Sequence, residues 1–135
     1  MEIVLFDLAQ KLEEKGYPQH WSNDDYIVEN EYEDNFEVGC YYDRCLIPEH
    51  IATIAAPSIS QVLKWLREEK KIHINICFYG DKIGNYEYTY WNYEIINIHN
   101  GKIIYKFDNK QCMLEFECYE EVAITGIKYV LDNLI

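Results

Sequence analysis

Three groups of residues in this 135-residue chain have types and spacings that could support chemistry. The first is Cys40-x4-Cys45-x4-His50, two thiols and an imidazole within eleven residues, to which Cys112-x5-Cys118 adds two more thiols. Nitrogen and sulfur ligands of this kind suit zinc, and a thiol beside an imidazole suits a nucleophile. Structural zinc sites, however, draw on tight pairs such as Cys-x2-Cys, because two ligands leaving one turn converge on a tetrahedron, and the chain has no such pair. Cys112 and Cys118 fall in or beside an alternating segment, which explains them as small core residues. His73 and His99 fall at strand positions, and no local nucleophile signature surrounds any cysteine. No catalytic residue, metal or cofactor is therefore assigned. A small ligand-binding or thiol/metal-dependent enzyme domain centred on Cys40, Cys45 and His50 stands as the alternative reading.

The second group is acidic. Asp24, Asp25, Glu29, Glu31, Glu33, Asp34 and Glu37 fall within fourteen positions. Glu31, Glu33, Asp34 and Glu37 could hold a divalent ion, but the run lacks the regular Asp-x-Asp-x-Asp-Gly loop of an EF-hand. A solvated acidic face, or one that meets a basic partner, is the simpler reading. The third group is aromatic. Thirteen tyrosines and three tryptophans include the run Tyr86-Glu87-Tyr88-Thr89-Tyr90-Trp91-Asn92-Tyr93. On one strand Tyr86, Tyr88 and Tyr90 form a ladder on one sheet face. Tyrosine offers a large contact area and a hydroxyl at low entropic cost, so the ladder suits binding; packing beneath helices is the competing use.

Composition narrows the partners. Twelve Lys and Arg against 24 Asp and Glu leave a formal net charge of −12. A field of that sign repels phosphate, which excludes general electrostatic binding to DNA, RNA or anionic membrane and leaves basic protein partners open. The six glycines are scattered, with no phosphate-cradling loop among them. No window has the eighteen or so apolar residues of a membrane span. The N-terminus shows no secretory pattern, and an odd count of five cysteines fits reduced thiols, so a cytoplasmic location is expected.

These groups must be positioned by elements whose periods are legible. Val4, Leu8 and Leu12 recur at helical spacing within a helix expected over 3–15, closed by Gly16 and Pro18. Tyr26-Ile27-Val28 and Phe36, Val38 and Cys40 suggest short strands, with loop elsewhere up to His50. Ser58 and Gln61 fit a capping box opening a helix whose stripe is Ile59, Val62, Leu63 and Leu66, with Trp65 at its margin. From Ile72 the period becomes two: Ile72, Ile74, Ile76 and Phe78 share one face. Residues 80–85 read as a turn, Tyr86 to Tyr90 as the next strand, and Tyr93 to Ile98 as another after a break near Trp91-Asn92. Asn100-Gly101 predicts a two-residue hairpin turn that opposes Ile98 with Ile103 and Ile96 with Tyr105. A strand over 112–117 and a helix from Tyr119 to Leu134 close the chain, with Gly126 on the helix's apolar stripe implying close approach of another backbone. The expected fold is a single α+β domain over 1–135. It comprises an antiparallel β-meander of about four to five strands, with three helices packed mainly on one face.

At Ala56-Pro57-Ser58, Gln61-Val62-Leu63-Lys64-Trp65-Leu66-Arg67-Glu68-Glu69 and Ile72-His73-Ile74 the chain resembles a group of small bacteriophage and prophage proteins, also found in gut bacteria. Tyr119-Glu120-Glu121-Val122-Ala123, with Ile127-Lys128-Tyr129 and Leu134, looks like that group's C-terminal helix. These segments cover less than half the chain, and the resemblance implies a fold and a genetic setting without a catalytic residue. The function expected is that of a non-enzymatic phage or mobile-element accessory protein that binds a protein partner. Glu31, Glu33, Asp34, Glu37, Tyr86, Tyr88 and Tyr90 would form its contact surface. The sharper form is an inhibitor that imitates nucleic acid and blocks a DNA- or RNA-binding host factor. A homodimer built on the tyrosine ladder is a third reading.

Overall fold

A computed structural model describes residues 6–19, 25–30, 35–43, 53–107 and 118–135. The protein is α+β, with helices α1 (Phe6–Glu14), α2 (Ile59–Glu69) and α3 (Tyr119–Asn133) and six strands among those residues. The strands are β1 (Asp25–Asn30), β2 (Asn35–Asp43), β3 (Thr53–Ala56), β4 (Ile72–Ile83), β5 (Tyr86–Asn97) and β6 (Ile103–Phe107). They form two three-stranded antiparallel sheets, ordered β2-β1-β3 and β4-β5-β6. Two compact units divide the chain, Met1–Val62 and Leu63–Ile135.

In the first unit, α1 ends as its sequence requires. Gly16 takes φ +90°, the Gly16 N–H donates to the Glu13 carbonyl and the Tyr17 N–H donates to the Leu12 carbonyl. That is a Schellman closure, with Tyr17 buried beside the helix end. Helix α1 packs on β3. Gln19 ties the segment after α1 to that strand by accepting from the Ala55 N–H. Strand β3 falls in a stretch for which the sequence alone predicts no element. Ile54, Ala55 and Ala56 are all buried, so the strand reads as a short apolar run without alternation. Strand β1 pairs with both neighbours, with a bulge against β2 between Ile27 and Glu29.

Helix α2 opens on its capping box: the Gln61 N–H donates to Ser58 Oγ and the Ser58 N–H donates to Gln61 Oε1. Trp65 is buried along with Val62 and Leu66, so it belongs to the apolar stripe and not to its margin; Lys70 Nζ lies 5.3 Å above its ring.

In the second unit, α3 packs against β4 and β5. Val122, Ala123, Ile127, Val130 and Leu131 are buried on the helix, and Ile72, Ile74, Tyr93, Ile95 and Phe107 on the sheet. Tyr93 stacks on Phe107 at 5.1 Å, and Tyr105 on Tyr129 of α3 at 3.9 Å. Gly126 makes the close approach possible, but the approaching atoms are side chains, not backbone. A Cβ there would stand 3.0 Å from Ile74 Cγ2 and 3.5 Å from Tyr93 Cδ2. Two expectations about the strands change. Strand β5 runs unbroken through Trp91-Asn92, because twelve consecutive cross-strand pairs with β4 outweigh the weak strand preference of asparagine. The Asn100-Gly101 loop has four residues, with Asn97 bonded to Lys102 and the Gly101 N–H bonded to the Asn97 carbonyl. Ile96 therefore opposes Ile103 and Ile95 opposes Tyr105, with an irregularity between them. The strand expected over 112–117 lies outside the described residues.

Candidate functional site

The long β4–β5 hairpin has two halves with different surroundings. Its base, from Ile72–Ile76 to Tyr93–Asn97, is joined by β6 and covered by α3 on one face. Among the described residues, β6 reaches no further along β5 than Tyr93, which pairs with Phe107. Beyond that point the two strands continue as a ribbon, Cys77 opposite Asn92 through Ile83 opposite Tyr86.

The ribbon is longer than the sequence suggests because residues 80–83 stay in the strand. Only Gly84 and Asn85 turn, and Gly84 at φ +60° takes the first position of a two-residue turn that favours glycine there. An isolated two-stranded hairpin is marginal in water, so something must stiffen this one. Aromatic contacts do. On the face shared with α3, Phe78 lies 4.7 Å from Trp91, which meets Tyr119 edge-on at 6.2 Å. On the reverse face Tyr86, Tyr88, Tyr90 and Tyr79 stack in one row, at 6.2, 5.9 and 5.5 Å between successive rings. Each such pair contributes about 0.5–1.5 kcal/mol beyond its buried area. The Tyr88 hydroxyl donates to Asp81 Oδ2 at 3.4 Å, and Lys82 pairs with Glu87 at 3.1 Å. The latter pair is exposed and contributes little.

Register decides which face the tyrosines take. Ile74 opposes Ile95 on the face against α3, so Tyr79 opposite Tyr90, Asp81 opposite Tyr88 and Ile83 opposite Tyr86 lie on the other. The ladder does not lie beneath that helix. Phe78, Tyr79, Ile83 and Tyr86 are 57%, 40%, 70% and 69% exposed, a concentration of apolar surface at one end of one element. Hydrogen bonding to the Cys77 side chain, followed by the charge on that group, raises the Tyr79 hydroxyl above its ordinary pKa.

Tyr86, Tyr88 and Tyr90 are thus brought together as the alternation predicts. Tyr79 and Ile83 join them, and sequence reasoning misses both by treating 80–85 as one turn; the Gly84-Asn85 pair is the signal that locates the shorter turn. Of the acidic group, Glu37 is in β2, while Glu31, Glu33 and Asp34 lie outside the described residues. Cys40 is also in β2, and Cys45, His50 and Cys112 lie outside. Cys77 and Cys118 are free, half-buried thiols. Among the described residues no three His, Cys, Asp or Glu side chains gather as metal ligands would. No described helix is long and apolar enough to cross a membrane. Comparison with family models, characterised proteins and solved structures finds no match in any of the three, so nothing there bears on the phage-type resemblance.

Proposed function

We propose that the protein acts by binding another protein through the outer half of the β4–β5 ribbon, without catalysis. The observation that carries this reading is the tyrosine row on the ribbon's reverse face, ordered by ring stacking, with Tyr86 and Tyr79 exposed at its ends and Tyr88 and Tyr90 half-buried between them. Ordered aromatic side chains bind well because little rotamer freedom is lost on contact. The chain's −12 charge speeds encounter with a basic partner, and Glu31, Glu33, Asp34 and Glu37 are the residues we assign to that steering. The phage-type setting that the sequence resemblance implies would make a bacterial host factor the partner to seek.

The test is affinity capture from a bacterial lysate with three baits: wild type, Tyr86→Ser/Tyr90→Ser, and a variant with Glu31, Glu33, Asp34 and Glu37 all neutralised. The expected result is one specific protein that survives a high-salt wash and is lost from the tyrosine variant. Loss from the acidic variant alone, or salt-labile capture of a nucleic-acid-binding protein, would move the contact to the acidic stretch and favour imitation of nucleic acid. Absence of specific capture by any bait overturns the binding reading.

A further inference from the structure

Resting on the ribbon as contact surface, we propose that its occupant is an extended, arginine-bearing segment of a protein, added as a strand along the outer edge of β4. Charge complementarity selects this occupant. The tyrosine face of β4 and β5 carries two carboxylates, Asp81 and Glu94, and no lysine or arginine. Lys82 is on the opposite face, 3.1 Å from Glu87, and Lys106 of β6 lies 3.6 Å from Glu94. Among the side chains that β4 and β5 place on the outer half of this face, a cation meets aromatic rings and the Asp81 carboxylate, which accepts from the Tyr88 hydroxyl. A second copy of the chain would instead bring together two molecules of charge −12 each. Arginine suits the surface better than lysine, because a planar guanidinium stacks on tyrosine and forks to carboxylate oxygens. The row also has an open end: Tyr86 stacks on Tyr88 and is 69% exposed.

The edge supplies the second half of the recognition. Among the described residues β4 pairs on one side only, and its register with β5 has no bulge. Neither strand contains proline. In an antiparallel pair every second residue directs its N–H and C=O away from the partner, so β4 presents an outward row of these groups. Proteins protect such edges with prolines, bulges or charged side chains; this ribbon has no proline or bulge, and the one lysine of β4, Lys82, pairs with Glu87 on the face away from the tyrosines. An added strand hydrogen-bonds to that row and places alternate side chains on the tyrosine face, beside Tyr79 and Asp81.

The experiment uses a fluorescent peptide alternating Arg and Thr, titrated with the full chain and followed by anisotropy at physiological salt. Peptides with Lys or Gln in place of Arg serve as comparisons. Expected is binding by the Arg peptide at least about tenfold tighter than by the Gln peptide. It should also be lost in Tyr79→Ser/Tyr86→Ser and kept in Tyr79→Phe/Tyr86→Phe, three proteins of identical net charge. Equal binding by the wild type and the serine variant overturns the proposal, since bulk charge then explains the affinity. So does absence of Arg-peptide binding, whether or not sedimentation shows a dimer that the serine variant dissolves; such a dimer would make the face a self-interface. If the Arg peptide fails while lysate capture still depends on Tyr86 and Tyr90, the binding reading stands and the class of partner falls.

Discussion

Tyr79 stands where the tyrosine row crosses from β5 to β4, and its hydroxyl is tied to its own strand. Hydrogen bonding to the Cys77 side chain favours the protonated phenol, so Tyr79 ionises above the ordinary value of 10.0. A pKa raised in the folded state stabilises the fold fully below the unfolded value, and that contribution is lost as pH rises through the folded one. Tyr79 should therefore stay protonated to a higher pH than an ordinary tyrosine. Cys77→Ala is expected to lower the Tyr79 pKa toward 10.0, read as the difference in tyrosinate absorbance between each protein and its Tyr79→Phe partner. An unchanged titration would remove Cys77 as the cause. At this scale the sequence shows which residues alternate but not which are paired. Tyr86, Tyr88 and Tyr90 share a face by period alone, whereas the place of Tyr79 and Ile83 depends on how many residues turn.

Elements differ in how much of their structure is local. The Ser58–Gln61 box and the Gly16 closure involve residues three to five positions apart, so their bonds are legible in sequence. Strand β3 is not, because Ile54, Ala55 and Ala56 owe their conformation to pairing with β1 and to burial, not to alternation. The Asn97–Lys102 loop shows the same limit: Asn100-Gly101 marks a turn correctly, but the positive φ falls on Gly101 alone, and four residues turn instead of two. Exposure of the ladder is illegible for a related reason, since both faces of the hairpin are apolar and the helix could cover either. Gly126 settles which face α3 takes, and it can be tested. Alanine there gains roughly 1 kcal/mol of helix propensity but sets its Cβ 3.0 Å from Ile74 Cγ2. Ile74 is β-branched and buried, so that methyl moves only by leaving its rotamer, and overpacking costs about 1–3 kcal/mol. Gly126→Ala is expected to lower stability by about 1 kcal/mol net in urea unfolding. A gain of stability would mean that the strand gives way easily and that α3 tolerates a wider seat.

At the scale of the whole molecule, attraction and adhesion are carried by different parts. Residues 77–92 hold Asp81, Lys82 and Glu87, a net −1 of the chain's −12, so the long-range field comes almost entirely from outside the ribbon. Such a field acts before contact: it raises the rate at which an oppositely charged partner arrives and is screened over about 8 Å at physiological salt and about 3 Å at 1 M. Stacked rings act after contact, within van der Waals distance, where salt has little effect. The two contributions should separate kinetically for the captured partner. Between low and high salt the association rate is expected to fall by about tenfold or more while the dissociation rate changes little. Tyr86→Ser, which leaves every charge in place, should raise the dissociation rate and leave the salt dependence of association intact. Surface plasmon resonance with both proteins across a salt series measures these quantities directly. A dissociation rate that climbs with salt, and is indifferent to Tyr86, would mean that carboxylates themselves form the contact; the ribbon would then be a bystander and the acidic stretch the binding surface.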